Sequence, residues 1–393
     1  MLSKDRILHW LIVSLLLLLN ACGGSSSTTQ NPEVPSGQYN YRIPVAMNDG
    51  WTVANAASLG IDTSVLETVV RNIASNRQDF RHIDSLAIIK DGQLILDETF
   101  KENLDFTDDW ASNRDINLHV LNSVTKSYVS TLIGIAIDQG LISDVDVLVH
   151  DYFQDYQPIA NWSDDKQNTT LQDWLTMRHG YVWDEWSTSY FDSSNNNAQM
   201  NNASDPMRFL LDRALSDHPG TTFNYSTGIS YGLGIIVSRV SSMDIHQFMN
   251  DYLLQPLNIS SYTYWALDGQ IHMGSALYLS NRDMAKLGQL YLNGGTWNGA
   301  RILSQAYIDD AITPHVTGQY TYGYQWWMRG FTVNSQVVNT YNADGLGGQY
   351  IIVIPEHDAI VAFQGDAYEE SERRGRNVTR ILQDFILPEL VKD

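Results

Sequence analysis

The stretch Leu121-Asn122-Ser123-Val124-Thr125-Lys126-Ser127-Tyr128 opens a long, mainly apolar run over 129–142. Such a run, with Gly140 near its end, is typical of a buried helix. Ser123 falls on the first turn of this helix and Lys126 one turn later, and residues three apart share a helix face. The sequence therefore predicts a hydroxyl and an amine side by side at the start of a buried helix.

The pairing of Ser123 with Lys126 suggests nucleophilic chemistry. A serine hydroxyl attacks poorly until a neighbouring base takes its proton. Lysine is such a base only when neutral, and both desolvation and the positive end of the helix dipole lower its pKa. The same helix terminus offers backbone N–H groups that stabilise a developing oxyanion.

A second copy of the motif, Ser163-Asp164-Asp165-Lys166, has the same spacing in a polar segment. Its two adjacent acids are expected to hold Lys166 charged, and no apolar helix follows it. The alternative interpretation of Ser123 is that it only caps its helix. A motif this short leaves both interpretations open.

Composition and charge limit the classes of function. The chain has 393 residues, 43% hydrophobic content and only 10 Pro, which indicates a globular body of one large or two moderate domains. The formal net charge of −21 argues against a nucleic-acid partner. No Cys/His cluster suggests a metal site. We therefore expect neither a metal nor another cofactor.

The N-terminus has the parts of a secretory signal. A charged start at 4–6 and an apolar core at 7–19, too short to span a bilayer, precede the stretch Leu19-Asn20-Ala21-Cys22. This stretch resembles a bacterial lipobox, which implies removal of residues 1–21 and a lipid anchor on Cys22. With Gly23 rather than Asp next, it implies the outer membrane, on its periplasmic or surface face. The alternative is a plain signal peptide and a free thiol.

The rest of the chain divides by composition and periodicity. Residues 22–50 are rich in Ser, Thr, Asn, Gly and Pro, which predicts a flexible tether. Two strand-like runs flank Asp91-Gly92 and predict a β-hairpin. Further strands are predicted at 337–340, 350–354 and 359–363, and helices at 61–73, 171–178, 207–215, 228–240, 245–254, 281–292 and 377–391. With strands at both ends and helices between, the sequence predicts an α+β fold with a helical insertion, if the two ends share a sheet.

Two further segments carry candidate site residues. Tyr225, in the stretch 223–228 before an apolar helix, would relay a proton if a neighbouring cation lowered its pKa. The alternative is an aromatic packing residue. The stretch Gly345-Leu346-Gly347-Gly348-Gln349 precedes a predicted strand, and its glycines allow close approach of a ligand to the backbone. The alternative there is an ordinary glycine-rich turn.

The order Ser-x-x-Lys, Tyr-Ser-x, Gly-x-Gly-Gly-Gln resembles the serine hydrolases of the β-lactamase/penicillin-binding protein superfamily. The likeness is greatest to class C-like esterases and 6-aminohexanoate-dimer hydrolases, and it covers about residues 50–390. It implies a β-lactamase/transpeptidase-like fold over 51–393, with an antiparallel sheet flanked by helices. The α/β part would comprise 51–120 and 272–393, and a mostly helical inserted part would comprise 121–271.

The resemblance also implies roles. Ser123 would be the acylated nucleophile, Lys126 its base, and Tyr225 a partner in proton transfer. The backbone N–H of Ser123 would form half of the oxyanion hole, and that of Leu346, or alternatively Gln349, the other half. Substrate-binding positions would be Gly345, Gly347, Gly348, Gln349 and Trp183.

Two departures from the family pattern bear on the substrate. Thr227 stands where class C β-lactamases carry Asn, and no Lys or His lies in 343–349 to hold a substrate carboxylate. An esterase or amidase acting on small, uncharged or linear acyl groups therefore fits best. The alternatives are a weak β-lactamase or D,D-peptidase, and a non-catalytic envelope binding protein. Trp183, Trp186 and Tyr190 are expected either to line an aromatic wall or to pack in the core. The oligomeric state stays open.

Overall fold

A computed structural model describes residues 38–100, 118–368 and 376–392. The predicted signal peptide, Cys22 and the first part of the predicted tether lie outside the described residues. Every helix within these ranges is too short or too polar to cross a bilayer. The helices are α1 Thr63–Ala74, α2 Thr125–Asp138, α3 Asp164–Gln167, α4 Leu171–Leu175, α5 Asn196–Asn201, α6 Pro206–Leu211, α7 Thr227–Ser241, α8 Ile245–Met249, α9 Asn281–Leu292, α10 Gln305–Ala311, α11 Arg376–Ile381 and α12 Leu387–Leu390.

The strands of the described residues form one large sheet and three small ones. The strands are β1 Thr52–Val53, β2 Ser85–Lys90, β3 Gln93–Thr99, β4 His119–Val120, β5 Thr263–Tyr264, β6 Ala266–Leu267, β7 Gln270–Ile271, β8 Leu277–Leu279, β9 Thr296–Trp297, β10 Ala300–Arg301, β11 Trp327–Val333, β12 Gln336–Gly345, β13 Gln349–Ile354 and β14 Ala359–Gln364. The large sheet has the order β1-β3-β2-β14-β13-β12-β11. Its neighbours are antiparallel except for β1 and β3.

The two ends of the chain share this sheet. Strand β2 pairs with β14, with Ala87 opposite Ala362. The predicted hairpin joins β2 to β3, and Asp91 and Gly92 have φ of 51° and 68°. Positive φ at both central residues is the requirement of a type I′ turn, which matches the twist of the strands. The predicted α+β fold with a mainly antiparallel sheet is confirmed.

Side-chain alternation along β14 builds a core on each face of the sheet. Ile360 and Ala362 point to the side that holds the helical region. Val361 and Phe363 point to the opposite side, where α1 and the C-terminal helices cover the sheet. Successive strand residues face opposite sides, so a strand covered on both faces is apolar throughout.

Helix α2 is the centre of the larger core. Its residues Thr125 to Ala136 are all buried, so the core surrounds this part of the helix on every side. Gly140 follows the helix with a φ of 70°, as the sequence predicts for a residue that ends a helix. Ser123 lies in a 3-10 turn, Asn122–Val124, that leads into α2 rather than on the first α-helical turn.

Residues 38–50, the last part of the predicted tether, are held against the domain instead. The Tyr39 hydroxyl donates to Glu98 Oε1 at 2.6 Å, and Asp49 pairs with the buried Arg282. Composition alone could not reveal this, because the polar residues of the segment find partners far away in sequence.

Candidate active site

The structure brings the Ser123 hydroxyl and the Lys126 amine together. Lys126 Nζ lies 3.1 Å from Ser123 Oγ, which is hydrogen-bond distance. Ser123 starts from the 3-10 turn that leads into α2, and Lys126 starts from the first turn of α2. A proton can therefore pass directly between the two groups.

Lys126 is buried, with 1% of its surface exposed. Burial lowers the pKa of its amine to about 8, and the nearby Glu185 carboxylate acts in the opposite direction. Desolvation disfavours the charged form of a lysine because it removes the water that stabilises the ammonium. An accessible fraction of neutral amine near neutral pH follows, as a general base requires.

Lys126 has two other polar partners. Its Nζ donates to Thr227 Oγ1 at 3.0 Å and to the backbone oxygen of Gly274 at 2.8 Å. Thr227 opens helix α7, which is capped by the Ser226 side chain. The position at which this chain departs from the class C pattern therefore supplies a hydroxyl in direct contact with the lysine.

Glu185 is the residue that sequence reasoning missed. It is 1% exposed, and its carboxylate accepts from the Thr227 hydroxyl at 2.6 Å and the Thr227 N–H at 2.7 Å. It also accepts from Trp183 Nε1 at 2.7 Å and from the Tyr190 hydroxyl at 2.9 Å. Buried carboxylates require such partners. The available signal was an acid between Trp183 and Trp186, and that signal does not indicate which side chain the acid contacts.

Tyr225 lies beside the pair. Its ring centroid is 4.9 Å from Lys126 Nζ, and contact with the Ser123 hydroxyl acts to lower its pKa. Burial outweighs that contact, and with the Glu185 charge it raises the pKa of the phenol well above 10. The condition named for a proton relay, a pKa lowered by a neighbouring cation, is therefore not met. Tyr225 stays protonated and is a hydrogen-bond donor.

Aromatic side chains surround Tyr225. Trp186 stacks on its ring with centroids 4.9 Å apart and is 46% exposed, and Trp327 stacks at 5.8 Å. Trp183 is only 5% exposed, and its indole N–H is bonded to Glu185. The predicted substrate-binding role of Trp183 does not fit this placement. Trp183 packs in the core behind the site, whereas Trp186 is partly exposed against the Tyr225 ring.

The glycine-rich segment lies against the nucleophile turn. The Asn122 side-chain amide donates to the Leu346 oxygen at 2.8 Å. Gln349 is fully buried, and its amide donates to the Gly365 oxygen at 2.6 Å and to the Leu346 oxygen at 3.3 Å. The Gln349 side chain thus holds the loop in place, which does not fit its predicted contact with substrate. Gly347 and Gly348 have φ of 93° and 107°, values that favour glycine.

The beta-lactamase family model matches residues 71–383 of the chain. The chain belongs to the beta-lactamase family. It is 24% identical over 263 residues to the 6-aminohexanoate-dimer hydrolase of Paenarthrobacter ureafaciens, a match that covers 62% of this chain and 64% of that protein. Less than two thirds of that relative's length is therefore spanned.

Solved structures of the beta-lactamase fold resemble this one. A penicillin-binding protein homologue from Pyrococcus abyssi is 19% identical, covers 81% of this chain and 76% of its own, and has a TM-score of 0.60. EstCE1, a hydrolase with promiscuous acyltransferase activity, is 14% identical. The match covers 81% of this chain and 99% of EstCE1, with a TM-score of 0.63. At these identities the likeness shows the fold. Together with the family match it supports an enzyme of the hydrolase class.

In this beta-lactamase family member the second Ser-x-x-Lys motif, Ser163 to Lys166, makes only structural contacts among the described residues. Lys166 Nζ donates to the backbone oxygens of Ala160, Leu211 and Arg213 at 2.9, 2.7 and 2.6 Å. The Ser163 hydroxyl accepts from the backbone N–H of Lys166 and caps α3. Burial lowers the pKa of Lys166 to about 8, so the expectation that adjacent acids would govern this lysine is wrong. The contact partners, rather than the pKa, separate the two copies.

The close approach of the glycine segment to the nucleophile turn predicts the effect of Gly345→Ala. A Cβ at this position would lie 2.3 Å from the Leu121 backbone oxygen. Relief of this clash would require one of the two backbone segments to move. We expect turnover to fall at least about tenfold and the free energy of unfolding to fall by about 1–3 kcal/mol. Turnover is measured by ester hydrolysis, and the free energy of unfolding is measured by denaturant unfolding.

Gly330→Ala is the matched control. Its Cβ would lie 2.9 Å from the end of the Val337 side chain, which is 60% exposed and can move, and at an ordinary contact distance of 3.7 Å from Asn339 Oδ1. We expect wild-type turnover for this variant. Equal losses in the two variants would contradict the proposed importance of the Gly345 contact.

Proposed function

We propose that this chain is a serine hydrolase that cleaves an ester or amide bond through an acyl-enzyme intermediate. The observation that carries the proposal is the 3.1 Å contact between Ser123 Oγ and a buried Lys126 amine with a pKa near 8. The family match and the hydrolase relatives support the class of reaction.

The positions of these groups support the following sequence of steps. Lys126 takes the proton of Ser123 as Oγ bonds to the acyl carbon, and the carbonyl electrons move onto oxygen. The backbone N–H groups of Ser123 and Leu346 are our candidates for holding that oxyanion. Tyr225, a neutral phenol, donates its proton to the leaving group and regains one from Lys126. Water then releases the acyl group by the reverse sequence of proton transfers.

The surroundings of the site support an uncharged substrate. Arg329, a cation on the strand next to the one that leads into the glycine segment, is paired with Asp344. Trp186 and Trp327 offer flat apolar surface next to Tyr225. We propose small or linear esters and amides as substrates, in keeping with the hydrolase relatives. A weak β-lactamase or D,D-peptidase activity is the second candidate, because the family contains these reactions.

Covalent labelling tests the proposal. The full chain is treated with a fluorophosphonate, and the labelled peptide is identified by mass spectrometry. Label on Ser123 supports the hydrolase. A folded chain without label would favour a non-catalytic binding protein. A screen of p-nitrophenyl esters, nitrocefin and linear amide oligomers then separates esterase, β-lactamase and amidase activity.

We also propose that the enzyme is anchored in the cell envelope through Cys22. The support is the lipobox-like stretch Leu19-Asn20-Ala21-Cys22. We expect Cys22→Ala to move the protein from the detergent phase to the aqueous phase in a phase-separation assay, because the acyl chains supply the membrane affinity. Wild-type partition of the variant would contradict lipidation.

A further inference from the structure

The hydrogen bonds of Glu185 fix the direction of those of Thr227. An ionised carboxylate only accepts hydrogen bonds, so the Thr227 hydroxyl donates its single hydrogen to Glu185 Oε1, 2.6 Å away. That hydroxyl has then no hydrogen left for Lys126. It can only accept from Lys126 Nζ, which lies 3.0 Å away.

This direction determines where the lysine lone pair points. The Gly274 backbone oxygen, 2.8 Å from Lys126 Nζ, is also an acceptor only. A neutral amine has two N–H groups and one lone pair, and the two acceptors take both N–H groups. The remaining direction is toward Ser123 Oγ at 3.1 Å. The lone pair therefore faces the proton that it has to remove.

We propose that Glu185 is a positioning residue that acts through Thr227 to aim the Lys126 lone pair at Ser123, and whose charge stabilises the ammonium formed as the proton moves. The inference rests on the proposed function. The proton leaves Ser123 Oγ for Lys126 Nζ while Oγ bonds to the acyl carbon. The positive charge then lies two hydrogen bonds from the carboxylate, across Thr227.

The other titratable groups around Lys126 do not supply this charge. His272 Nδ1 accepts a hydrogen bond from the Gly274 N–H, so this nitrogen carries no proton. Burial and the nearby Lys126 lower the pKa of His272 to about 3, so the ring is neutral. Tyr225 is a neutral phenol, and Asp344, which faces Tyr225, is paired with Arg329. Glu185 is the carboxylate that raises the pKa of Lys126.

The test is Glu185→Gln, which keeps the size of the side chain and removes its charge. The pH dependence of fluorophosphonate labelling is measured alongside an NMR titration of the Lys126 amine. We expect the Lys126 pKa, and with it the acid limb of the labelling profile, to fall by roughly one unit. The rate on the plateau should fall at least about tenfold, because the ammonium is less stabilised. A purely structural role would lower the plateau without moving the limb.

Matched variants isolate the path through Thr227. Thr227→Ser keeps the hydroxyl and should retain the wild-type limb and most of the rate. Thr227→Val removes the hydroxyl and should lower the rate at least about tenfold. Glu185→Gln should lower the rate less in the Thr227→Val background than in the wild type. Glu356→Gln removes an exposed carboxylate elsewhere and should change neither readout.

The outcomes separate this inference from the proposed function. An unmoved Lys126 pKa in a folded Glu185→Gln variant overturns the inference, even if wild-type Ser123 is labelled. Full additivity of the two substitutions overturns the path through Thr227. The NMR titration does not depend on turnover. A wild-type chain that takes no label would overturn the hydrolase, and a lowered Lys126 pKa would still support the coupling to Glu185.

Discussion

We expect Ser123→Ala to abolish fluorophosphonate labelling and to lower ester turnover on the order of 10³-fold or more, as deletion of a nucleophile does in other hydrolases. The substitution removes Oγ, the atom that would bond to the acyl carbon. Lys126 keeps its contacts with Thr227 and Gly274, so the fold around it has no reason to change. The measurement is kcat/KM on the best ester from the substrate screen, with unfolding followed in parallel.

The second motif supplies the control. Ser163→Ala removes the cap of α3 and should cost about 1 kcal/mol of unfolding free energy, with turnover unchanged. The two variants delete the same atom from the same four-residue pattern. Label that persists in Ser123→Ala, or that disappears in Ser163→Ala, would contradict the assignment of Ser123 as nucleophile.

The parts of the fold that sequence predicts well are those fixed by local chemistry. Ser280 caps a helix that ends at Leu292, because a capping hydroxyl and an apolar periodicity act within one segment. The Asp91-Gly92 turn follows from the positive φ that a two-residue hairpin demands. Composition does not predict the ordering of residues 38–50, because their partners, such as Glu98 and Arg282, are far away along the chain.

The same division holds in the candidate site. Ser123 and Lys126 are three positions apart on a 3-10 turn and the helix that continues it, so local geometry brings them together. Thr227, Glu185 and the Gly274 oxygen come from separate segments, and one backbone oxygen has no sequence signature at all. Sequence reasoning identified Thr227 only as a departure from a pattern. The structure shows that the Thr227 hydroxyl links Lys126 to Glu185.

The direction of a pKa shift was predictable only where burial was predictable. Lys126 lies on an apolar helix, so its desolvation and lowered pKa were expected. For Tyr225 the expectation considered a neighbouring cation but not enclosure by Trp186 and Trp327, and burial prevailed. Lys166 shows the same effect in a segment that looked exposed from its charges.

Lys126→Ala should lower turnover about as far as Ser123→Ala does, because the hydroxyl then has no base within reach. For the wild type, the rate should rise tenfold per pH unit up to about 8 and level off above it, since only the neutral amine accepts the proton and burial holds its pKa there. The variant should lack this limb. The measurement is kcat/KM for a neutral ester between pH 6 and 9.5.

Lys126→Arg separates the loss of a base from the loss of a buried cation. A guanidinium keeps a positive charge and hydrogen-bond donors near Thr227 and Gly274, but it stays protonated throughout this pH range. If Lys126 serves as the base, the folded arginine variant is as inactive as Lys126→Ala at every pH. If Lys126 only provides positive charge, the arginine variant retains activity. Retention of the limb near pH 8 in either variant would assign it to another group and contradict the mechanism, since neither variant carries an amine that can lose its proton there.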